Sequence, residues 1–443
     1  MNKKPKIAIL LEFGFHEIKK YIHSGFAIEL SKEFDIVWFA KEKGSKEFHD
    51  YFTSTGFPLV YFEEKDFNKE PTSIENYNQI IRRNWAANNN TGGFHNYRKV
   101  RTKSFKTAFY GNSLAKFIFE KITIRQIERV YYSSKIEKQL NDNSIDALLL
   151  TGYSCFAKSF VTTAISMNKK VHYLVNSWKD LYINNFIPFR SLTTLFVWSE
   201  QMKFDFKYHM PYLKNANFVV SGNPTFDLLL NATPNQNREF YSEKYKLSLN
   251  SKWILYTMMP VGLVLDEIET IIFTAKEIQK HFSSEEINIL VRKNPTHNQV
   301  DFKNMELPQN LKIADYYCTF DKEKDMITQS IEGEKEWIDL LLHSELNLSV
   351  PSTVTLEFLA LNKPVLNIEY NSKNEIDKRI TQFFEAGYYK PLFTNKQVER
   401  CQNISELIYN IENSVQSTKP TKLIGENNEI QKAAEIILKQ LKI

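Results

Sequence analysis

The sequence predicts an α/β protein made of two doubly wound, Rossmann-like domains. Short apolar runs alternate with helix-length segments along most of the chain, which is the pattern of βαβ units around a parallel sheet. The pattern stops over residues 231–250, which are polar, and restarts at residue 253. With 443 residues, the chain is long enough for two domains of roughly 200 residues that each bury a core.

The first domain is predicted over residues 1–230. Its strands should be short, because each apolar run holds five or six residues rich in Val, Ile, Leu or aromatic side chains. In chain order the runs are 6–11, 35–40, 58–62, 146–150, 171–175, 194–198 and 217–221. Helix-like sequence separates them, first over about 24–32 and later up to about Leu140.

The second domain is predicted over residues 231–425, followed by a C-terminal helical segment, 426–443. The same rule gives its elements, because apolar runs of strand length alternate with longer amphipathic segments. The strands are 253–258, 287–291, 311–314, 346–350 and 365–369, and the helices are 264–281, 335–343 and 353–361. The last amphipathic segment covers about 429–441.

Composition and missing motifs exclude several classes of protein. Apolar residues make up 42% and charged residues 25%, which excludes a disordered chain, a collagen and a coiled coil. The chain contains no G-x-x-x-x-G-K and no G-x-G-x-x-G, so it lacks the P-loop and dinucleotide fingerprints. No run of 18 apolar residues predicts a membrane-spanning helix, and the run 7–11 is too short for a signal peptide. Three widely spaced cysteines fit a reducing cytoplasm and form no metal-ligand pattern.

The segment 345–370 carries the clearest candidate site. Doubly wound sheets bind ligands beyond the carboxyl ends of their strands. Ser352 and Thr353 follow such an end and precede a helix, whose free N–H groups favour an anion such as a diphosphate. Glu357 lies one turn further on, where a carboxylate could accept hydrogen bonds from a ribose diol. Ser and Thr are also common N-caps, so a structural role is an alternative.

Two other strand ends add candidates. Arg292 and Asn294 follow the strand 287–291, and arginine suits bidentate phosphate binding. A surface loop that is basic and polar without binding a ligand is an equal alternative. Gly222 and Asn223 turn the chain after the strand 217–221 and could also face a ligand. Asp227, in contrast, is interpreted as a structural residue in the turn between a strand and a helix.

Candidate proton-transfer groups follow strands of the first domain. Glu12, His16 and Glu17 are the first titratable groups after the run 6–11, and Asp180 follows the run 171–175. A histidine or a carboxylate can act as a general base. Asp180 could instead cap the next element.

Five segments, in this order, resemble a known family. They are SWKDL (177–181), FVWSEQMKFDF (196–206), VVSGNPTFD (219–227), VRKNP (291–295) and SVPSTVTLEFLALNKPVLNI (349–368). Together they resemble bacterial surface-carbohydrate glycosyltransferases with the GT-B fold. They are also similar to CDP-glycerol glycerophosphotransferases and, more distantly, to polysialyl- and Kdo-transferases.

The resemblance implies two Rossmann-like domains that face a cleft, with the nucleotide mostly on the second. It implies that Ser352, Thr353 and Glu357 hold phosphate and ribose, while Arg292 and Asn294 line the donor site. The family usually has Arg-x-His-Pro here, and this chain has Asn294 in place of the histidine. That departure puts any role of the missing histidine in doubt.

The expected activity is inverting, metal-independent transfer of a sugar from a nucleotide-sugar substrate to a surface-glycan acceptor. A base would deprotonate the acceptor hydroxyl, with His16 ranked first, Asp180 second and Glu17 third. The chain contains no Asp-x-Asp, so neither a metal nor another cofactor is expected. The alternatives are a CDP-alcohol-dependent glycerol or ribitol phosphotransferase, a nucleotide-sugar 2-epimerase and a non-catalytic protein.

A basic stretch lies in the first domain. Residues 76–119 contain eight basic residues and no Asp or Glu, so they carry the excess positive charge of the chain. We interpret five of them as a patch for an anionic acceptor or the inner membrane face: Arg82, Arg83, Arg98, Lys99 and Arg101. A solvated insertion is an equal alternative. A nucleic-acid partner is not expected, because the other motifs indicate a small nucleotide. The protein is thus expected in the cytoplasm, with peripheral membrane contact as an option.

Overall fold

The computed structural model describes most of the chain, in two compact units. The described residues are 4–12, 17–41, 46–67, 70–88, 112–181, 189–230, 232–260, 262–294, 302, 305–314, 318–321, 326–414 and 433–441. The first unit comprises Met1–Leu228 with Gln431–Ile443, and the second comprises Leu229–Ile430. The division falls next to the predicted boundary, and the C-terminal helix belongs to the first unit.

The first unit is a seven-stranded sheet with helices. Its strands are β1 (Lys6–Leu11), β2 (Asp35–Lys41), β3 (Leu59–Phe62), β4 (Ala147–Leu150), β5 (Lys170–Leu174), β6 (Thr194–Val197) and β7 (Asn217–Val220). Its helices are α1 (Phe26–Ser31), α2 (Lys46–Thr53), α3 (Ser73–Asn88), α4 (Ser113–Val130), α5 (Ser134–Asp142), α6 (Cys155–Ser166) and α7 (Glu200–His209). A π-helical turn spans Ile18–His23, and short 3₁₀ turns span Glu64–Asp66, Pro211–Leu213 and Pro224–Leu228.

All strands of this sheet are parallel, in the order β3-β2-β1-β4-β5-β6-β7. The first strand therefore lies inside the sheet, and the strand order reverses between β1 and β4. Such a switch point is where an open α/β sheet places its ligand. Residues 7–11 of β1 are all buried, because helices cover both faces of a parallel sheet.

The second unit contains a six-stranded sheet. Its strands are β8 (Lys252–Thr257), β9 (Ile287–Arg292), β10 (Leu311–Ile313), β13 (Leu346–Ser349), β14 (Val365–Ile368) and β15 (Glu399–Cys401), and β11 (Cys318–Asp321) pairs separately with β12 (Met326–Gln329). Its helices are α8 (Arg238–Tyr245), α9 (Glu267–His281), α10 (Ile331–His343), α11 (Val354–Ala360), α12 (Lys378–Phe384), α13 (Lys390–Thr394) and α14 (Ile404–Ser414).

This sheet is also parallel, in the order β10-β9-β8-β13-β14-β15. The order is the 3-2-1-4-5-6 arrangement of a Rossmann sheet, and its switch point lies between β8 and β13. The prediction of two Rossmann-like domains is therefore confirmed. Strand β15 and the β11–β12 hairpin are additions to the predicted elements.

The chain returns to the first unit in helix α15 (Ala433–Gln440). Its start is fixed by Asp227, whose two carboxylate oxygens accept hydrogen bonds from the backbone N–H groups of Ala433 and Ala434, at 2.9 and 3.0 Å. Asp227 thus caps a helix, as carboxylates favour N-termini. The capped helix starts 206 residues further along the chain, not next to Asp227.

Candidate functional site

Arg292 lies at the carboxyl end of a strand of the second sheet, where a positive charge could meet an anionic ligand. It is the last residue of β9, and its half-buried side chain lies over the indole of Trp337 on α10, 3.9 Å from the guanidinium carbon to the ring centroid. Stacking fixes the plane of the guanidinium and leaves its N–H edge available for a bidentate anion. Among the described residues, no carboxylate forms an ion pair with Arg292.

Trp337 also connects Arg292 with Glu357. The indole Nε1–H donates a hydrogen bond to Glu357 Oε2 at 3.1 Å, and both side chains are buried. One tryptophan from α10 therefore orients two candidates, which come from the end of β9 and from α11. Nothing in the sequence singles out Trp337, because the pattern of a helix predicts its buried face but not which partner that face meets.

The turn before α11 presents two hydroxyl groups. Thr353 is exposed and makes no side-chain cap at the start of the helix, so the capping alternative is not what the structure has at this residue. The Ser352 hydroxyl oxygen is buried and has no hydrogen-bond partner within the described part of the chain. A buried hydroxyl without a partner costs about 1–3 kcal/mol, so such groups often serve a ligand.

Glu267 holds the loop that follows β8. Its carboxyl group accepts the backbone N–H of Met259, at 2.9 and 3.2 Å to its two oxygens, and the Tyr256 hydroxyl lies 3.4 Å away. Burial raises the pKa of Glu267 to about 8, while the hydrogen bonds from Met259 and Tyr256 oppose that rise. Asn294 lies just beyond β9 and is half-buried.

In the first unit, Lys20 interacts electrostatically with two of the predicted base candidates, Glu17 and Asp180. Lys20 is buried and donates a hydrogen bond from Nζ to Asn176 Oδ1 at 2.6 Å. Burial lowers its pKa to about 8, while the charges of Glu17 and Asp180 oppose that fall. The structure therefore brings Glu17 and Asp180 to the same buried cation. His16 lies outside the described residues.

Each of these carboxylates also accepts a backbone hydrogen bond. Glu17 Oε1 accepts the N–H of Glu12 at 2.6 Å, and Asp180 Oδ2 accepts the N–H of Ser177 at 2.9 Å. Asp180 accepts the N–H of a residue that precedes it, so this contact does not test the alternative that Asp180 caps the next element. A role of either carboxylate in proton transfer stays a prediction.

Gly222 and Asn223 belong to the first unit, whereas the cluster around Trp337 belongs to the second. Asn223 accepts the N–H of Thr225 at 3.0 Å and donates to the carbonyl of Asn176 at 3.3 Å. Gly222 has a φ of +74°, which favours glycine. These contacts turn the chain after β7, and a donor-binding role for the two residues stays a prediction.

Glu12 occupies the switch point of the first sheet. Its carboxyl group accepts a hydrogen bond from the Ser154 hydroxyl, whose oxygen in turn accepts the backbone N–H groups of Phe156 and Ala157 at the start of α6. Burial raises its pKa to about 7, and Lys41, with its Nζ 3.9 Å from Glu12 Oε1, opposes that rise. The chain's own carboxyl group therefore takes the position where a helix N-terminus would bind an anion.

The predicted basic patch requires a correction at Arg82. Its side chain is 4% exposed and forms an ion pair with Glu120 of α4, which also pairs with Lys116 at 3.0 Å. Arg82 is therefore a buried link between α3 and α4 and not a surface residue. The side chain of Arg83 and the residues Arg98, Lys99 and Arg101 lie outside the described part of the structure.

The described residues contain neither a candidate metal-binding cluster nor a candidate membrane-spanning helix. Three or more His, Cys, Asp or Glu side chains are nowhere grouped there so that they could hold a metal ion. In the same residues, no helix combines the length and the apolar character that crossing a membrane requires.

The comparisons with known proteins find similarity at the level of structure. No protein-family model and no curated protein sequence matches the chain. A UDP-GlcNAc 2-epimerase from Neisseria meningitidis, solved with UDP-GlcNAc, has a TM-score of 0.55 and 13% identity and covers 98% of this chain and 99% of its own. The Staphylococcus aureus protein MnaA, solved with UDP, has a TM-score of 0.54 and 11% identity and covers 99% and 96%.

A third neighbour is the UDP-GlcNAc 2-epimerase of Methanocaldococcus jannaschii in complex with UDP-GlcNAc and UDP. It has a TM-score of 0.52 and 15% identity and covers 98% of both chains. At such low identity these neighbours establish the fold and leave the reaction to be inferred. The chain therefore has the two-domain GT-B type of fold that its sequence predicts.

Proposed function

We propose that this protein is an enzyme that acts on a nucleotide-activated sugar and binds the nucleotide in its second unit. The observation that carries the proposal is the side chain of Arg292, which is stacked on Trp337 at a strand end and is not ion-paired within the described residues. An oriented guanidinium without a carboxylate partner is suited to a diphosphate. The Rossmann order of the sheet supports a nucleotide at this edge.

In this proposal each residue of the cluster contacts one part of the nucleotide. Arg292 binds the diphosphate, and the hydroxyl groups of Ser352 and Thr353 donate to phosphate oxygens. Glu357 accepts from the ribose hydroxyls, while the hydrogen bond from Trp337 holds its carboxylate in place. In this site an oriented cation and hydroxyl groups offset the charge of a leaving diphosphate, so the proposed site needs no metal ion.

For the reaction, we propose epimerisation at C2 of the sugar ahead of transfer. Three structural neighbours that cover nearly the whole chain support this order, since two are named 2-epimerases and the third was solved with UDP. Inverting C2 breaks the C2–H bond and remakes it on the opposite face, so a group that accepts and returns a proton is needed. The sequence offers His16, Asp180 and Glu17 as candidates for this group.

The test is to incubate the protein with UDP-GlcNAc alone in D₂O and to follow the proton NMR spectrum. Epimerisation predicts loss of the H2 signal and the appearance of the C2 epimer, because solvent deuterium replaces the proton removed from C2. Protein with Arg292→Ala serves as the control for the site, and Arg190→Ala, an exposed arginine of the first unit, serves as the matched surface control. Binding of UDP without any exchange at C2 would overturn the epimerase and leave the nucleotide site standing.

A glycosyltransferase is the second candidate, and the five ordered motifs support it. Such an enzyme would move the sugar to a surface-glycan acceptor with inversion at the anomeric carbon. A CDP-alcohol phosphotransferase differs in its nucleotide, so tighter binding of CDP than of UDP would favour it. Sugar transfer that requires an acceptor, with no exchange at C2, would favour the glycosyltransferase.

A further inference from the structure

We propose that one helical face of the first unit binds the surface of a membrane that contains anionic phospholipids. The face belongs to α4 and is formed by Leu114, Phe117, Ile118 and Ile122, which are 65%, 54%, 44% and 43% exposed. Their spacing of three and four residues places them on one side of the helix. We call these four residues the α4 face, and the proposal does not depend on the reaction that the enzyme performs.

Exposed cations lie among the apolar residues of this helix. Lys121, Arg125 and Arg129 are exposed and fall within the same angular range of the helix as the α4 face. The acidic residues of α4 are neutralised, because Glu120 is buried against Arg82 and Lys116, and Glu128 pairs with Arg190 at 2.8 Å. The outer side of α4 is therefore both apolar and positively charged.

Two neighbouring helices expose more large apolar side chains. The ion pair of Arg82 with Glu120 joins α3 to α4, and the Lys116 ammonium donates to the His209 carbonyl at the end of α7 at 2.7 Å. The exposed side chains on α3 and α7 are Tyr77, Ile80, Phe204 and Tyr208. Single exposed apolar residues are ordinary on a monomer, but a cluster over touching helices indicates a binding surface.

The charge of this surface argues against two occupants. A second copy in a symmetric dimer would place the same cations against each other, since both partners use the same patch. The segment 89–111 of this chain contains five basic residues and no acidic residue, so its charge has the same sign. The occupant that the charge favours is an anion.

The side-chain types favour a lipid surface among anionic partners. Nucleic acids contact basic and aromatic side chains, but they offer no apolar volume for Leu114, Ile118 and Ile122. An amphipathic helix with Leu, Ile and Phe next to Lys and Arg lies at the boundary between headgroups and acyl chains. Each base near an anionic leaflet adds about fivefold to binding.

The experiment is co-sedimentation of the full chain with vesicles of phosphatidylcholine alone or with 30% phosphatidylglycerol. We expect binding to the anionic vesicles, weakened by 0.5 M NaCl because salt screens exposed charges. The double variant Lys121→Gln with Arg125→Gln should bind about 30-fold more weakly, since each base contributes about fivefold. The variant Leu114→Ser with Ile118→Ser should also lose binding.

Matched controls come from the second unit. Lys252→Gln with Lys276→Gln removes the same charge from exposed positions elsewhere, and Tyr409→Ser removes an exposed aromatic side chain. These variants should bind vesicles like the original protein. All variants should keep their melting temperature and their affinity for UDP, so a failure of the nucleotide site is separate from a failure of this proposal.

Three outcomes would overturn the proposal. The first is no binding to anionic vesicles at low salt, and the second is binding that the α4 variants and the controls change equally. The third is a dimer, seen by sedimentation equilibrium, that Leu114→Ser with Ile118→Ser dissociates, because a second copy would then cover the α4 face.

Discussion

The two sheets have the same strand order around their switch points but differ in what lies there. In the first unit, the buried carboxyl group of Glu12 accepts a hydrogen bond from the Ser154 hydroxyl, which caps the start of α6. In the second unit, α11 begins without a side-chain cap and Arg292 lies nearby on Trp337. One topology thus creates an anion-binding position twice, and the chain fills one of them with its own side chain. The comparison explains why nucleotide binding is assigned to the second unit.

The largest effect is expected from Trp337→Ala. Loss of this buried indole removes the support of Arg292 and the hydrogen bond to Glu357, and large-to-small changes of this kind cost about 3–5 kcal/mol of unfolding free energy. Urea unfolding would measure the loss. Trp337→Phe keeps a ring under Arg292 and should cost less. An unchanged stability of Trp337→Ala would show that the cluster is not a packed unit.

The pH dependence of the unfolding free energy would test the raised pKa of Glu12 at the switch point of the first sheet. The folded-state pKa of Glu12, about 7, lies above the ordinary glutamate value of 4.5, so the folded protein holds a proton that the unfolded chain releases. Stability should therefore fall as pH rises from about 4.5 to 7, by about 3 kcal/mol for this group. Denaturant unfolding at pH 5 and pH 8, compared with Glu12→Gln, isolates the contribution.

Glu267 provides the matched control in the second unit. Burial also raises its pKa, to about 8, so its contribution has the same sign and extends to higher pH. The variant Glu267→Gln should flatten the stability curve between about 4.5 and 8. If Glu12→Gln leaves the curve of the original protein unchanged, Glu12 makes no contribution to the pH dependence and its raised pKa is contradicted.

Nucleotide affinity would test the assignment of UDP binding to Arg292 in the second unit. A hydrogen bond to a charged group contributes about 1.5–3 kcal/mol, so Arg292→Ala should bind UDP about 10–100-fold more weakly in calorimetry. Arg292→Lys keeps the charge but loses the planar guanidinium. Its affinity for UDP should therefore lie between that of the original protein and that of Arg292→Ala. Glu12→Gln should leave UDP affinity unchanged. Weaker binding in Glu12→Gln, with Arg292→Ala unaffected, would reverse the assignment of the nucleotide to the second unit.

The smallest effect concerns Asp180 in the first unit. Loss of one side-chain to backbone hydrogen bond costs about 1 kcal/mol, so Asp180→Ala should lower stability by that amount, while Asp180→Asn keeps an acceptor for the Ser177 N–H and should not. The asparagine variant separates this hydrogen-bonding role from that of a base, because it cannot take a proton. Lost turnover in Asp180→Asn at full stability would assign proton transfer to this residue.

The sequence predicted the parts of the site that follow from strand ends. It puts Arg292, Ser352 and Glu357 forward as candidates because parallel strands place their carboxyl ends at one edge, and a ligand-binding role for each stays a prediction. Lys20 was missed, because its partner Asn176 lies 156 residues away and nothing local marks the contact. Trp337 was missed for the same reason, since its contacts come from two other elements.

The basic stretch shows a second limit of sequence patterns. Arg82 was counted as a surface charge because residues 76–119 contain no acid, yet Glu120, the next residue, is its partner across α3 and α4. A charge count has no information about which helices pack together. Strand β15 was missed for a simpler reason, because three residues are too few to show an alternating pattern.

The contact of Asp227 with α15 has a consequence for biosynthesis. A ribosome makes Asp227 about two hundred residues before Ala433 and Ala434, with the entire second unit between them. Until helix α15 emerges, the Asp227 carboxylate lacks the backbone N–H groups of Ala433 and Ala434. The residues that pack against the buried Ile437 are exposed to water until then. A chain that terminates early therefore carries an incomplete first unit, whatever the state of the second.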